Sequence, residues 1–427
     1  MLNKIVKDID LIAFILKKGG IIFLFRITSM IITFFSTWYI SNKYGESNFG
    51  RFSLASTILQ MIFLFFAMGL PNAFLAFTGG FANDELKKGF LLKTTKIVLL
   101  VSAVPIFVTF FGADIIANNI FEKETIKVYL QIVAFSVPFM ILHEIICYYF
   151  ISINKHLIYG LMLFIVPNVL FVLFLIGSHY YALPEYFTFL DYTLGIAITV
   201  VIGYFIAFFK NKIISIPNLS YKEILRKSLP MMVGSMFLML LNWSDILMLG
   251  KMESEENIGI YNAAFKIGYA ALFFIGSMNV VVMPKISELF HQNNYGEMKK
   301  VVNRATQVVI ILTVPFVLVI VIFSKEILGI YGEGFVKGST CLILIVLGAL
   351  INAMTGNVDQ ILNMTNNHKI VRNIFFVGFV LNVVLNLFLI PRFGIEGAAL
   401  SSFIINVVVN FIFVYIIKKK LGFYTFI

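Results

Sequence analysis

The sequence has few charged side chains for its length. Only 13% of its 427 residues are charged, 60% are hydrophobic, and the mean hydropathy is +0.94. Soluble domains carry about 25% charged residues, so this chain lacks the polar side chains that would cover a water-soluble surface. The composition excludes a soluble globular protein and predicts a membrane protein with several spans.

Cysteines and common catalytic motifs are also scarce. The two cysteines, Cys147 and Cys341, lie in apolar runs without a partner motif, so they indicate neither a disulfide nor a metal site. The chain has no G-x-x-x-x-G-K-[ST], no H-E-x-x-H and no G-x-S-x-G sequence. We therefore expect no resident metal or cofactor and no enzymatic activity.

The charge that is present is mainly positive, with a formal net charge of +11. The basic residues lie in short connections between apolar runs, which is typical of cytoplasmic loops in membrane proteins. Nucleic-acid binding would place them on one face of a folded domain. We expect membrane lipids as partners and no nucleic acid.

Apolar runs of about 20 residues, the length of one membrane-spanning helix, occur twelve times. They fall at about 20–40, 52–73, 94–112, 128–150, 157–177, 189–209, 229–250, 260–283, 305–323, 339–362, 371–390 and 397–417. The termini and even-numbered connections hold 23 of the 33 Lys and Arg residues, and the odd-numbered connections hold eight. This asymmetry predicts twelve spans with both termini in the cytoplasm.

The order of the spans suggests two similar halves. NFGRFSLA at 48–55 resembles NIGIYNAA at 257–264, and each sequence follows the first span of its half. A duplication of six spans gives two halves of equal orientation, with a substrate path between them. We predict an interfacial amphipathic helix over 1–19, a six-helix lobe over 20–209, a cytoplasmic linker over 210–228 and a second lobe over 229–427.

Several polar residues lie inside the apolar spans. A charged side chain near the middle of a bilayer costs about 2.5–3.5 kcal/mol, so Lys266 and Arg26 are predicted to face a wet cavity. Such a cationic cavity suits a phosphate group, and Arg51 is a further candidate for its lining. Asn242, Asp245 and Asn262 are predicted polar lining, although a Lys266–Asp245 ion pair is an alternative.

Two acidic residues in other spans are candidates for coupling transport to an ion. Glu144 lies in span four and Asp359 in span ten, where either could bind H⁺ or Na⁺. Each could equally form a hydrogen bond to a neighbouring helix. Ion coupling is therefore an expectation that concerns Glu144, Asp359 and Asp245.

Four stretches of the sequence resemble one known family. They are SDILMLGKMESEENIGIYNAAFKI, MPKISELF, GNVDQILNMTNNHK and NLFLIPRFGIEGAALSS, and the pattern from Ile258 to Ala264 is the most specific part. These stretches are similar to Wzx-type polysaccharide flippases of the multidrug/oligosaccharidyl-lipid/polysaccharide exporter superfamily. The resemblance implies an all-α membrane protein of twelve helices in two six-helix bundles, with a V-shaped exporter architecture.

The resemblance also implies a function. Such a protein moves undecaprenyl-diphosphate-linked O-antigen or capsule units from the inner to the outer leaflet of the bacterial cytoplasmic membrane, and Lys266 lies in the family motif of span eight. A polysaccharide polymerase and a chain-length regulator are implied partners. A peptidoglycan-precursor flippase is one alternative. A membrane enzyme such as an O-antigen polymerase is another, although no outer connection here is long enough to suggest one.

Overall fold

The computed structural model describes the backbone of residues 2–209 and 213–426, and the side chains of these ranges apart from residues 2–20, 234–235 and 280–281. Within the described residues the chain is entirely helical, with no strand. The predicted all-α class is confirmed. The predicted interfacial helix over 1–19 concerns side chains outside the described residues, and it stays a prediction.

The helices follow one another with short connections. Those up to the linker are α1 (Leu2–Phe66), α2 (Leu70–Thr78), α3 (Asp84–Phe111), α4 (Ala113–Ile115), α5 (Lys127–Ser152), α6 (His156–Gly160), α7 (Val166–Tyr180) and α8 (Phe187–Phe209). Those after it are α9 (Tyr221–Met252), α10 (Glu255–Tyr269), α11 (Phe273–His291), α12 (Tyr295–Ile322), α13 (Ser324–Gly329), α14 (Ser339–Thr355), α15 (Val358–Met364) and α16 (His368–Leu421).

The number of long apolar helices agrees with the predicted number of spans. In residues 2–209 and 213–426, nine helices are long and apolar enough to cross a membrane, and the broken pair Tyr221–Val233 and Met236–Met252 adds a tenth. Two of the nine, Ile21–Phe66 and His368–Leu421, have 46 and 54 residues. At 1.5 Å per residue each is roughly 70–80 Å long, more than twice the ~30 Å hydrocarbon core. Each of these two helices therefore supplies two spans, which gives twelve.

A glycine with positive φ interrupts both of these long helices. Gly45 (φ 80°) divides α1, and Gly394 (φ 57°) divides α16. A side chain is strongly disfavoured in this region of backbone conformation, whereas glycine adopts it readily. The helical backbone is therefore interrupted at these two residues without a longer loop.

The chain forms two compact units, which we describe separately. The first unit is Met1–Lys43 and Ile58–Met232, and the second is Tyr44–Thr57 and Val233–Ile427. In the first unit α5 packs against α2, α3 and α8; in the second, α14 packs against α10, α12 and α16. Residues 44–57 belong to the second unit, although the predicted lobe of 20–209 contains them. The predicted boundaries of the membrane lobes stay predictions.

Local sequence explains several of the helix ends. Ser220 and Glu223 form a capping box before α9, in which the Ser220 backbone N–H donates to the Glu223 carboxylate at 2.7 Å and the Glu223 N–H donates to the Ser220 hydroxyl at 3.2 Å. The Ser254 hydroxyl accepts the Asn257 N–H at the start of α10. These contacts satisfy N–H groups that no helix residue can pair.

Candidate functional site

Lys266 lies near the middle of an apolar span of the second unit. It is in α10, within the membrane-length helix Glu255–Asn279, and its side chain is exposed. Its ammonium lies 5.0 Å from the centre of the Phe49 ring, a cation–π distance, and Phe49 itself is fully buried. An exposed cation at this depth needs water or an anion beside it.

Asp245 lies in the core of the second unit, bonded to neutral groups. It is 1% exposed, and it accepts hydrogen bonds from the Tyr261 hydroxyl and the Asn386 amide, both at 2.7 Å, and from the Ser402 hydroxyl. These hydrogen bonds connect α9 with α10 and α16. The alternative of a Lys266–Asp245 pair stays a prediction.

The two asparagines of the predicted lining differ in their surroundings. The Asn242 carbonyl oxygen accepts a hydrogen bond from the Tyr269 hydroxyl at 2.9 Å, and the Asn242 side chain borders a cavity. Asn262 is 6% exposed, and its Oδ1 atom has no hydrogen-bond partner among the described residues. Of the two, Asn242 thus contributes to an open space and Asn262 to the helix packing.

The cavity that Asn242 borders has a volume of about 340 Å³ and lies wholly in the second unit. Its walls come from six helices, α9, α10, α11, α14, α15 and α16, and from the turns before α11 and α15. The polar side chains that line it are Asn242, Tyr269, Asn279, Asn352, Asn357, Asp359, Ser402, Asn406 and Asn410. We call it the second-unit cavity. A volume of this size is at the lower end of small-molecule binding sites, about 300–1,000 Å³.

Asp359, predicted as a coupling residue, is the acidic side chain of this lining. One of its carboxylate oxygens accepts a hydrogen bond from the Gln360 amide at 2.9 Å. The structure thus places Asp359 and Asn242 at one cavity. The other predicted residues, Lys266, Asp245 and Asn262, do not line it.

Arg51 does not extend the positive charge of Lys266. Its guanidinium forms a salt bridge with Glu255 at 2.9 Å, and both side chains are 17% exposed. The contact lies where the start of the second span meets α10. Since Glu255 balances the charge of Arg51, we no longer assign Arg51 to a cationic lining.

Arg26 and Glu144 are in the first unit. Arg26 is exposed on α1 and Glu144 is half-buried on α5, and both lie within electrostatic range of the Tyr159 hydroxyl. The Ser29 hydroxyl, one turn from Arg26, accepts a hydrogen bond from the Asn168 amide at 3.2 Å. These contacts fix the face of α1 that packs on the unit. The predicted meeting of Arg26 and Lys266 in one cavity stays a prediction.

His143, a buried histidine of α5, has a structural role. Its Nε2 atom lies 2.9 Å from the carbonyl oxygen of Met162, in the π-helical turn Leu161–Ile165. In a π-helix this oxygen would accept from the residue five positions later, which is Pro167 and has no N–H. The His143 ring supplies the missing donor and so satisfies the carbonyl oxygen of Met162.

Comparison with protein families adds to this geometry. A family model described as "Polysaccharide biosynthesis protein" matches residues 15–290, well over half of the chain. The chain belongs to this family. A second family model, described as MatE, matches residues 230–388. The family resemblance predicted from the sequence is confirmed.

Relatives of this polysaccharide biosynthesis protein family member include two proteins of Haloferax volcanii. One is described as "Probable low-salt glycan biosynthesis flippase Agl15", 25% identical over 173 residues, and the other as "Probable flippase AglR", 23% identical over 164 residues. The matches cover 40% and 38% of this chain, and 37% and 34% of the relatives. The chain thus matches little more than a third of the length of each relative.

Solved structures show the fold of this family member. The inward closed conformation of the lipid II flippase MurJ matches with a TM-score of 0.74 and 15% identity, over 93% of this chain and 87% of that one. An inward-facing multidrug resistance MATE family transporter of the MOP superfamily matches with a TM-score of 0.75 and 12% identity, over 93% and 98%. The protein therefore has the multi-pass membrane fold that these transporters share.

Sequence reasoning missed several polar lining residues of the second-unit cavity, among them Asn279 and Asn357. The Asn357 amide donates to the Asn279 carbonyl oxygen, and both side chains border the cavity. Asn279 lies within the predicted span at 260–283, so the rule that singled out Asn262 could also have found it. Asn357 lies at the αL turn between α14 and α15 (φ 50°). Asparagine is common at such turns, so its presence there does not indicate a lining residue.

Proposed function

We propose that the protein is a flippase that moves lipid-linked oligosaccharides across a membrane by alternating access, and that it is not an enzyme. The observation that carries the proposal is an exposed lysine, Lys266, halfway along an apolar span of a polysaccharide biosynthesis family member. A lysine there can contact the polar head of a cargo. Because lipid costs about 2.5–3.5 kcal/mol, a phosphate of the cargo is the better partner.

The local structure supports a role for the charge of Lys266 in binding. Its ammonium lies over the Phe49 ring, which holds the side chain without neutralising it. Asp245, the nearby buried carboxylate, bonds to Tyr261, Asn386 and Ser402 instead. A lysine ammonium can donate charge-assisted hydrogen bonds to the oxygens of a diphosphate.

We further propose a specific cargo and a specific membrane. The cargo is an undecaprenyl-diphosphate-linked repeat unit of an O-antigen or capsule, and the protein lies in the cytoplasmic membrane of a bacterium with both termini inside. A polysaccharide polymerase and a chain-length regulator act with it. The resemblance to flippases named for glycan biosynthesis supports a sugar cargo.

Ion coupling is also part of the proposal. Asp359 in the second-unit cavity, Glu144 in the first unit and Asp245 in the helix core are the acidic groups that could bind H⁺ or Na⁺. Asp359 is the best placed, since its side chain borders an open space. Asp245 is enclosed by hydroxyl and amide donors, which suits a fixed structural carboxylate.

A lipid II-type cargo is the second candidate. The fold likeness to the lipid II flippase MurJ favours it, and a diphosphate head would meet Lys266 in either case. The twelve predicted spans favour the polysaccharide exporter, because peptidoglycan-precursor flippases usually have more.

Replacing Lys266 with alanine tests the proposal. In a strain that depends on this gene for its surface glycan, we expect Lys266→Ala to lower surface glycan by about tenfold or more, because a charge-assisted contact contributes about 1.5–3 kcal/mol. Lys266→Arg keeps the positive charge and should restore export at least in part. Surface glycan is measured by immunoblot and lectin binding.

The matched control is Lys337→Ala. Lys337 is 69% exposed and pairs with Glu256 at 3.0 Å, outside the predicted spans, so its loss should leave export unchanged. Equal amounts of each variant in the membrane fraction exclude an insertion defect. Wild-type surface glycan in a fully expressed Lys266→Ala strain would contradict the proposal.

A further inference from the structure

We propose that the second-unit cavity binds an uncharged sugar residue, the one next to the diphosphate of the cargo. This inference rests on the proposed function, because it assigns the cation and the cavity to adjoining parts of one glycolipid. The juxtaposition that suggests it is on α10. Lys266 and Tyr269 are three residues apart and therefore share one helix face, and Tyr269 is part of the cavity wall.

The cavity presents amide groups whose hydrogen-bonding capacity is not used. The Asn242 and Asn279 carbonyl oxygens accept bonds from Tyr269 and Asn357, which leaves the two NH₂ groups unused among the described residues. The Asn352 Oδ1 atom has no partner there. A ligand that forms hydrogen bonds with such groups gains about 0.5–1.5 kcal/mol for each bond.

Both donors and acceptors are on offer. Asn406 uses its NH₂ group for the Ser402 carbonyl at 2.9 Å and keeps its side-chain oxygen available. Sugar hydroxyls are at once donors and acceptors, as asparagine amides are. The hydroxyl groups of a sugar can therefore pair with both the donors and the acceptors of this lining. An ion can pair with only one of these two kinds of group.

The charge of the lining argues against the diphosphate itself. Among the described side chains that border the cavity, Asp359 is the ionisable acid and there is no lysine or arginine. A phosphate would meet the carboxylate without a compensating cation. The diphosphate thus belongs beside Lys266, and the neutral sugar one helical turn farther along α10.

The size and the aromatic wall also fit a sugar ring. At about 30 Å³ of liquid per water molecule, a volume of 340 Å³ corresponds to roughly eleven waters, enough for one hexose ring and a few water molecules. The rings of Phe265 and Tyr269 stack with centroids 4.7 Å apart at 28°, and Tyr269 is 37% exposed. An exposed flat ring can cover the C–H face of a sugar.

Binding of neutral sugars to the purified full-length protein in nanodiscs tests the inference. The neutral probes are glucose, galactose, mannose and N-acetylglucosamine, and their readout is saturation-transfer NMR. The charged probes are inorganic pyrophosphate and NaCl, and their readout is the broadening of the ³¹P and ²³Na NMR lines. We expect saturable binding of at least one sugar, weakened about tenfold by Asn352→Leu and by Asn242→Leu, since each removes hydrogen bonds worth about 1 kcal/mol or more. Lys266→Ala should leave sugar binding unchanged and weaken pyrophosphate binding.

The matched control is Asn373→Leu, which removes an exposed asparagine of α16 that does not border the cavity; it should bind sugar as the wild type does. Equal thermal unfolding of all variants excludes misfolding. The inference is overturned if no sugar in the panel shows saturable binding up to about 100 mM, if both cavity variants bind like the wild type, or if the cavity variants abolish Na⁺ binding and leave sugar binding intact.

A transport assay separates this inference from the proposed function. Liposomes carry polyprenyl diphosphate either bare or with one neutral sugar. If the wild type moves neither lipid, the proposed function fails, while the sugar-binding result still decides on the cavity. If the wild type moves both, Asn352→Leu should slow only the sugar-bearing lipid. Equal slowing of both lipids would overturn the inference.

Discussion

The glycine pair Gly50 and Gly259 sets how closely two helices of the second unit approach, and Gly50→Ala tests this directly. A Cβ atom on Gly50 would lie 1.8 Å from the Glu255 carbonyl oxygen, and one on Gly259 would lie 2.3 Å from the Glu46 carbonyl oxygen. The two glycines occupy the same place in the repeated Asn-x-Gly sequences, and each faces the helix that carries the other.

The structure gives the size of the disturbance. Cβ atoms are essentially never found within 3.0 Å of such an atom, so the two backbones would have to separate by about 1.2 Å at Gly50. Inserted atoms in a packed core cost about 1–3 kcal/mol. We expect the upper end, because the obstacle is a backbone carbonyl that cannot rotate away. The Arg51–Glu255 salt bridge beside it would be disturbed as well.

Thermal unfolding of the purified protein in detergent measures the effect. A loss of about 3 kcal/mol should lower the unfolding temperature of this 427-residue chain by roughly 3 °C. The control is Gly177→Ala in α7, where a Cβ atom would meet nothing within 4 Å; alanine favours the helix there, so no decrease is expected. A Gly50→Ala protein that unfolds at the wild-type temperature would refute the close-packing argument.

Three further tests have expected outcomes in the same unfolding assay. Ser220→Ala removes the capping box of α9 and should cost about 1 kcal/mol, whereas Ser220→Asp should retain most of the stability. His143→Phe leaves the carbonyl oxygen of Met162 without a donor and should cost about 1–3 kcal/mol; a fully stable variant would contradict this role of the His143 ring. A double-mutant cycle of Arg51→Ala and Glu255→Ala should give a coupling of about 1 kcal/mol or less, since both side chains retain contact with water.

Much of the fold could be predicted from the sequence because membrane spans are local features. A run of about 20 apolar residues identifies a membrane-spanning helix without knowledge of its neighbours. Counting such runs in the sequence therefore gave the number of spans. Gly45 and Gly394 show where such reasoning is incomplete. Each interrupts a long helix at a single residue, so that two spans follow one another without a loop. The apolar pattern of the sequence does not show this interruption.

The candidate site was predicted in part. Lys266 stood out because a charge within an apolar run is costly wherever the chain folds, and its side chain is indeed exposed in mid-span. Arg51 was misjudged, since a residue at a span end gives no sign of its partner. Glu255 is more than 200 positions away in the sequence, and the ion pair arises only when the repeated segments pack together.

The sequence by itself determined that this protein crosses the membrane many times and that its spans contain unusual charges, because hydrophobicity and charge belong to each segment alone. The tertiary structure decided which polar groups meet. Asp245 bonds to Asn386 and Ser402, which lie 141 and 157 positions later, and the second-unit cavity draws its walls from six parts of the chain. Hydrogen bonds and cavities depend on distances of a few ångströms between distant segments, and only the folded chain fixes those distances.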